Sequence, residues 1–287
     1  MEPKWRGISF EGGGIAGLAH VGVIKVLSDN TILPQLTHIS GSSAGSIIAT
    51  LVACRLSYET IKEISINIDY NLFEDSSWFI IKDIYELINN FGWNSGDAIS
   101  KIFGDILEKH ISNRLITFGE IREKYGTTLI ITSTDINTES IVYYTPDSHP
   151  DMVVIDAVRQ SSSIPLFYNP VLKDDHLYVD GGVLVNYPIQ VLYNYLNKEQ
   201  VFGVKLLSDD DFSNKPYKLP TNITDYIMKI IKILLNQAAK VHIDDDDWKR
   251  TIKVNIGSIK ATDFSLSSEQ KLWLIDQGQK AALNFFT

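Results

Sequence analysis

The feature that most constrains the fold is the run G-S-S-A-G at residues 41–45, which stands between two apolar segments. The segment before it predicts a short buried strand, and the segment after it predicts a buried helix. Gly41 and Gly45 leave room for a tight strand-to-helix turn that pushes the Ser43 hydroxyl outwards above the helix N-terminus. An ordinary glycine–serine loop is the alternative, because G-x-S-x-G also occurs by chance. The flanking strand and helix favour a nucleophile elbow centred on Ser43.

A glycine-rich turn follows the first predicted strand, Gly7–Phe10, and precedes a helix predicted over residues 18–28. Its glycines are Gly12, Gly13, Gly14 and Gly17. Three of them fit G-x-G-x-x-G, which is typical of a dinucleotide site, but no later strand ends in an acidic residue about 20 positions on. A turn that only lets helix and strand pack closely is a further alternative. A cradle of backbone N–H groups for a negatively charged oxygen is the preferred interpretation.

A third turn begins where a strand predicted over residues 176–179 ends. Here Asp180 is followed by Gly181 and Gly182. A carboxylate at a strand end beside two glycines can face a site without crowding it. The plain alternative is an Asp-Gly turn without a site. Asp180 is a candidate site residue because its turn, like the other two, follows a predicted strand.

Strands and helices alternate through much of the chain, with no internal repeat and no low-complexity linker. Further strands are predicted over residues 127–132, 140–144, 201–207 and 251–256. Helices are predicted over most of residues 57–126, with a loop over 89–96, and over residues 155–161, 223–241 and 267–286. The alternation predicts an α/β fold with a mainly parallel central sheet and helices on both faces.

Composition limits the classes of function. The chain has 287 residues, 44% of them hydrophobic, and a net charge of -9, which argues against a protein that binds nucleic acid through bulk charge. The single cysteine, Cys54, can form no intrachain disulfide. The first residues lack the apolar core of a signal peptide, and no apolar run reaches the roughly 18 residues of a membrane span. The expected location is therefore cytoplasmic, with peripheral contact to membranes left open.

In their order along the chain, the three turns resemble the motifs of the patatin-like phospholipase family, G-G-G-x-R/K-G, G-x-S-x-G and D-G-A/G. Residues 117–121 are similar to its T-F-x-E-L segment, and residues 157–165 to its A-x-R-A-S-x-x-x-P block. Asn186 and Pro188 also fit the pattern. The resemblance covers residues 7–207, and residues 208–287 are expected to complete the same domain with a strand and helices.

The resemblance implies a patatin-like variant of the α/β-hydrolase architecture and a Ser–Asp dyad that uses no histidine. Ser43 would attack an ester carbonyl, and Asp180 would accept its proton and later activate water. An aspartate near its ordinary pKa of about 3.9 is a poor base, so burial beside the elbow is expected to raise the pKa of Asp180.

The glycine-rich turn would stabilise the negative charge in this reaction. The N–H groups of Gly13 and Gly14 would hold the oxyanion, and Gly12 and Gly17 would shape the turn. The chain departs from the family at Ala16, where Arg or Lys is frequent. This departure removes a charge near the oxyanion but leaves the role of the backbone intact.

A Ser–His–Asp hydrolase is the rival interpretation, and its chain order would be Ser, Asp, His. His242 is the only histidine after Asp180, and we interpret it as a surface residue. His20 is expected to be packed or solvent-facing, and neither His38 nor His176 is needed by a dyad. Residues 244–247, an acidic run, lack the alternating spacing of a calcium loop and predict a solvated loop. No metal and no cofactor are expected.

The predicted function is hydrolysis of fatty-acyl esters of glycerophospholipids by a phospholipase A or lysophospholipase. The lipid class follows from the resemblance, whereas the motifs alone indicate an activated serine with an oxyanion cradle. The alternatives are a transacylase or neutral-lipid lipase on the same site, and a catalytically silent lipid-binding or interaction protein. Peripheral contact with membrane or micellar lipid is expected through an apolar helix, at residues 78–90 or 223–241. Ordinary core packing is the alternative, and for either helix taken singly it is the favoured one. Some members of the family need a protein activator, and the sequence leaves this need open.

Overall fold

The computed structural model of the chain describes residues 4–73, 91–209 and 243–287, together with a few positions between 219 and 233. Its strands are β1 (Gly7–Phe10), β2 (His38–Gly41), β3 (Gly92–Asn94), β4 (Thr128–Asp135), β5 (Ser140–Tyr144), β6 (Leu166–Tyr168), β7 (Val171–Lys173), β8 (His176–Asp180), β9 (Val201–Ser208) and β10 (Thr251–Gly257). Its helices are α1 (Leu18–Asp29), α2 (Ala44–Ala53), α3 (Tyr58–Asn67), α4 (Asp97–Ile111), α5 (Phe118–Tyr125), α6 (Val154–Ser161), α7 (Gly182–Val185), α8 (Asp245–Lys249) and α9 (Ser268–Phe286).

The central sheet is mainly parallel. Its strands follow the order β10-β9-β1-β2-β4, and each neighbouring pair in this series is parallel. β5 and β8 pair antiparallel with β4, and β7 pairs antiparallel with β8. β1 and nearly all of β9 are buried, as expected for short apolar strands inside a parallel sheet. The predicted fold class is confirmed.

Both faces of the sheet are covered. Successive residues of β4 alternate between two hydrophobic clusters, with Leu129 and Ile131 in one and Ile130 in the other. The first cluster contains apolar side chains of α1, α2 and α9, and the second is closed by residues 187–196. A strand that is apolar on both of its sides, as β4 is, requires this double cover.

Three segments differ from the sequence predictions. Gly92–Asn94, predicted as part of a loop, forms β3 and pairs in parallel with β6. β4 continues to Asp135, beyond the predicted end of this strand, because its last residues pair with both β5 and β8. The acidic run at residues 244–247 is not a solvated loop, since Asp244 caps α8 and Asp247 is fully buried. The partners that bury Asp247 are distant in sequence, which local patterns cannot reveal.

Strand pairing along one edge of β4 brings the predicted turns together. β2 runs along this edge and ends with Gly41 opposite Ile131, whereas β8 runs the other way and ends with Asp180 opposite Ser133. The C-terminal ends of the two strands therefore meet. β1 lies on the far side of β2 and ends level with it, because Phe10 pairs with Gly41. The glycine-rich turn, the serine turn and the Asp180 turn are thus neighbours.

Three sequence predictions fall outside the described residues. They concern residues 78–90, residues 223–241 except four positions, and His242. Within the part of the chain that the structure describes, no helix combines the length and the apolar character needed to cross a membrane.

Candidate active site

Ser43 lies between β2 and α2 in a backbone conformation that few residues other than glycine adopt. Its φ is 51° and its ψ is -130°, a strained conformation of the kind that occurs in functional turns. A Cβ atom on Gly41 would lie 2.3 Å from the carbonyl oxygen of Gly45, and one on Gly45 would lie 2.3 Å from that of Phe10. Glycine is therefore required at both positions, because the turn packs against β1 and against itself.

Hydrogen bonds hold this strained turn. The Ser43 N–H donates to the hydroxyl oxygen of Ser161 over 2.9 Å. The Ser43 carbonyl oxygen accepts from the N–H and the hydroxyl of Ser46, over 2.8 and 2.6 Å. Ser43 precedes the first residue of α2, where the helix dipole favours negative charge. The turn thus keeps the Ser43 side chain where a developing negative charge is stabilised.

Asp180 is a buried carboxylate beside Ser43. It is 2% exposed, and its Oδ1 accepts a hydrogen bond from the Gly182 N–H over 2.7 Å. Its Oδ2 has no hydrogen-bond partner of ordinary geometry within the described ranges. Burial raises the pKa of Asp180 to about 7, although the adjacent Ser43 hydroxyl and the Gly182 N–H act to lower it. A carboxyl group with this pKa can accept and return a proton near neutral pH.

Residues 161–163, at the C-terminal end of α6, connect the two turns. The Ser161 hydroxyl accepts the N–H of Ser43, and the Ser163 carbonyl oxygen accepts the N–H of Asp180 over 2.9 Å. The segment that resembles the family's A-x-R-A-S block is therefore the piece that sets the serine turn against the carboxylate turn.

Arg159 fixes this connecting segment from α6. Its guanidinium donates hydrogen bonds to the Ser163 hydroxyl and to the carbonyl oxygens of Ser95 and Asn169. A buried arginine is tolerated because these oxygens replace its water. The arginine of the motif therefore acts here by holding the segment that carries Ser161 and Ser163.

The glycine-rich turn packs directly on the serine turn. A Cβ atom on Gly12 would lie 2.8 Å from the Cβ of Ser43, and one on Gly17 would lie 3.2 Å from the Cβ of Ala44. Gly12 therefore has to be glycine for the two turns to approach this closely. Gly181 is similarly close-packed, since a Cβ there would lie 2.2 Å from the Thr132 hydroxyl oxygen.

Two N–H groups of the glycine-rich turn, those of Gly13 and Gly14, have no hydrogen-bond acceptor among the residues that the structure describes. Gly14 also has a positive φ of 54°, which directs its peptide group away from a regular helical course. The N–H groups on either side do have acceptors at 3.0 Å, the carbonyl oxygens of Asn186 for Gly12 and of Ala261 for Ile15. Two adjacent donors are thus left for an external acceptor.

A buried ion pair supports the glycine-rich turn. Glu11 and Lys205 are both buried and their side chains are in contact, and the other Glu11 carboxylate oxygen accepts the Leu206 N–H over 2.7 Å. Asn186 donates to the Gly12 carbonyl oxygen over 3.1 Å. This pair was not among the predicted site residues. A lysine inside the apolar run of β9 could have indicated the pair, because a lysine in a buried strand needs an acidic partner.

An apolar cavity of about 100 Å³ lies beside Ser43. Most of its lining is aliphatic or aromatic and includes Leu18, Ile48, Leu51, Ile64, Ile164 and Phe264. Phe264 comes from the C-terminal part of the chain, where the sequence carried no motif. A lining of this kind suits an aliphatic chain far better than a polar substrate.

No histidine within the described ranges hydrogen-bonds to Ser43 or Asp180. His20 is a buried residue of α1, and burial lowers its pKa to about 4. Burial likewise lowers the pKa of His38 to about 4, and His176 pairs with a carboxylate of β4 over 2.7 Å. In residues 4–73, 91–209 and 243–287, no three His, Cys, Asp or Glu side chains form a group that could hold a metal ion.

Several known proteins are similar to this chain in sequence or in fold. The family described as Patatin-like phospholipase matches residues 8–193. The chain is 32% identical to uncharacterized protein R571 of Acanthamoeba polyphaga mimivirus, over 98% of this chain and 93% of that protein. It is 23% identical to the probable lipid hydrolase 463L of Invertebrate iridescent virus 6, over 98% of this chain and 89% of that protein. The crystal structure of VipD from Legionella pneumophila aligns with 99% of this chain and 67% of VipD, at a TM-score of 0.71 and 17% identity.

The family match spans all three turns, from β1 to beyond Asp180. The similarity to VipD, at an identity this low, supports the fold alone. The chain belongs to the patatin-like phospholipase family, and is thereby a carboxylic ester hydrolase.

Proposed function

We propose that the chain is a serine lipid acyl hydrolase that cleaves fatty-acyl esters of glycerophospholipids, of the phospholipase A or lysophospholipase type. One observation carries the proposal: Ser43 and Asp180 converge beside an apolar cavity, and burial keeps the pKa of Asp180 near neutrality. The proposed reaction uses neither a metal nor a cofactor.

The reaction proceeds in two halves. Ser43 Oγ attacks the ester carbonyl carbon while its proton moves to Asp180. The tetrahedral oxyanion collapses, the alcohol product leaves with that proton, and the acyl group stays on Ser43. Asp180 then removes a proton from water, which attacks the acyl-enzyme and releases the fatty acid.

The glycine-rich turn supplies the oxyanion site in this proposal. The N–H groups of Gly13 and Gly14, which have no acceptor among the described residues, donate to the oxyanion of each tetrahedral intermediate. Gly12 and Gly17 allow the turn to lie against the serine turn. Ala16 contributes no charge, so stabilisation depends on the backbone and on the N-terminus of α2.

The aliphatic lining of the cavity supports a fatty-acyl substrate. Contact with a lipid surface has separate support, since Tyr226, Ile230 and Ile233 are exposed apolar side chains at helical spacing. Exchange of Ile230 and Ile233 for Asp should then lower activity on vesicles and spare activity on a soluble short-chain ester. Equal losses on both substrates would argue against this surface.

We further propose that residues 208–287 complete the domain formed by residues 7–207. β10 pairs with β9 in the central sheet, and the carbonyl oxygen of Ala261 accepts the Ile15 N–H of the glycine-rich turn. Phe264 lines the cavity beside Ser43. A protein truncated after residue 207 should therefore lose activity and cooperative unfolding together.

Product analysis on phosphatidylcholine vesicles tests the function. The expected products are free fatty acid and lysophospholipid, with none formed by Ser43→Ala. Transfer of the acyl group to an added alcohol in preference to water would indicate a transacylase, and turnover of triacylglycerol alone would indicate a neutral-lipid lipase. Vesicle binding without any product would indicate a silent lipid-binding protein and contradict the proposal.

A further inference from the structure

The hydroxyl groups that line the cavity differ in one respect. Ser65, Tyr70 and Tyr168 each donate to a backbone carbonyl oxygen, over 2.7, 2.8 and 3.1 Å. Ser162 also lines the cavity and is 7% exposed, yet its Oγ has no hydrogen-bond partner among the described residues. Leaving a buried hydroxyl without a partner is unfavourable, so such a group in a site indicates a bound polar atom.

The position of Ser162 relates it to both members of the proposed dyad. The residue before it, Ser161, accepts the N–H of Ser43, and the residue after it, Ser163, accepts the N–H of Asp180. Ser162, which is among the residues that line the cavity, thus belongs to the short segment that joins the serine turn to the carboxylate turn. Asp180 Oδ2 is a second buried oxygen that has no partner of ordinary geometry in the described part of the chain.

We propose that Ser162 is a positioning residue for the water that hydrolyses the acyl-enzyme, an inference that rests on the proposed function. A bound water needs two to four polar partners. Asp180 Oδ2 accepts one hydrogen of this water, and the Ser162 hydroxyl donates to its oxygen. The two partners together aim the water at the acyl group on Ser43.

The step balances without another reactant. The water oxygen forms a bond to the acyl carbonyl carbon as one water proton moves to Asp180 Oδ2. The tetrahedral oxyanion then collapses, the bond from the acyl carbon to Ser43 Oγ breaks, and Ser43 Oγ takes the proton back from Asp180. The fatty acid leaves, and Ser162 undergoes no covalent change.

This role affects deacylation and spares acylation, because the attack of Ser43 on the ester needs no water. With a soluble nitrophenyl ester, kcat/KM reports acylation, and kcat reports deacylation once that step limits the rate. Ser162→Ala should lower kcat about tenfold, the loss of roughly one hydrogen bond, and lower KM by a similar factor. Mass spectrometry of the quenched variant should detect acylated Ser43 at steady state.

Ser65→Ala is the matched control, because it removes a hydroxyl of similar burial from the same cavity whose hydrogen bond is internal. Whatever its effect on KM, Ser65→Ala should carry no more acylated Ser43 at steady state than the unchanged enzyme does. Ser162→Thr keeps a hydroxyl and should recover most of the lost kcat.

Two results would overturn the role of Ser162. One is an equal loss of kcat and kcat/KM in Ser162→Ala without acylated Ser43, and the other is accumulation of the acyl-enzyme in Ser162→Thr to the same extent as in Ser162→Ala. Failure of the proposed function looks different. In that case the unchanged enzyme would release no free fatty acid from phosphatidylcholine vesicles.

Discussion

Asp180 and Asp247 are both buried aspartates, but their surroundings are opposite. Asp247 accepts hydrogen bonds from the Tyr193 hydroxyl, from the Gln190 amide over 3.1 Å and from the Arg250 guanidinium over 3.1 Å. Asp180 accepts a hydrogen bond from one N–H group and pairs with no cation of the described residues. One of its carboxylate oxygens has no hydrogen-bond partner of ordinary geometry among those residues. The two side chains are nearly equal in burial, at 2% and 0% exposure.

This difference separates a structural carboxylate from one that is available for chemistry. Around Asp247, hydrogen-bond donors and a cation replace the lost water. Around Asp180, burial is poorly compensated, and its pKa therefore rises to about 7. A perturbed carboxyl group next to a strained serine is the combination expected at a catalytic site.

The largest expected effect is on catalysis. Ser43→Ala and Asp180→Asn should each lower kcat/KM by about three orders of magnitude or more, because removing either disables the same proton transfer. The double variant should be little worse than either single one. Asp247→Asn is the matched control and should retain the kcat of the unchanged enzyme per folded molecule. If kcat/KM of the double variant instead fell by the product of the two single losses, Ser43 and Asp180 would not act as one catalytic unit.

Stability, in contrast to catalysis, should depend on Asp247. Asp247→Asn should lower the free energy of unfolding by about 3 kcal/mol, since it leaves Arg250 without its buried partner. For Asp180 the folded-state pKa of about 7 lies above the ordinary 3.8, so the folded protein binds more protons between those values and loses stability as pH rises. This loss amounts to about 4 kcal/mol by pH 8.

Asn at position 180 cannot ionise and lacks this loss. The stability of Asp180→Asn relative to the unchanged protein should therefore increase from pH 4 to pH 8 by about 4 kcal/mol, as measured by urea unfolding at several pH values. A difference that stays constant across this range would mean that the fold does not raise the pKa of Asp180.

The pH dependence of activity gives a somewhat smaller effect. Only ionised Asp180 can accept the Ser43 proton, so kcat/KM on a soluble ester should fall about tenfold per pH unit below about pH 7. Activity at pH 5 should be about a hundredfold below that at pH 8. A profile that stays flat down to pH 5 would show that the base has an ordinary carboxylate pKa.

The sequence predicted those features whose cause is local. The serine turn, the glycine-rich turn and the Asp180 turn each depend on glycines within a few residues, so their motifs are visible in the chain. Contacts between distant segments were not predictable. Glu11 and Lys205 are 194 positions apart. Asp247 contacts Tyr193 only because the pairing of β9 with β10 brings their segments together. Ser162 occupies a position that the family's motif leaves unspecified, and only the structure reveals that its hydroxyl has no partner among the described residues.

Asp180, and no histidine, is proposed to activate Ser43. The rate at which a fluorophosphonate labels Ser43, measured against pH, tests this claim most directly. We predict that labelling of the unchanged protein rises through a pKa of about 7, that Asp180→Asn labels at least about a hundredfold more slowly, and that His242→Ala labels normally. Normal labelling of Asp180→Asn together with loss of labelling in His242→Ala would contradict the dyad and indicate a histidine-dependent triad.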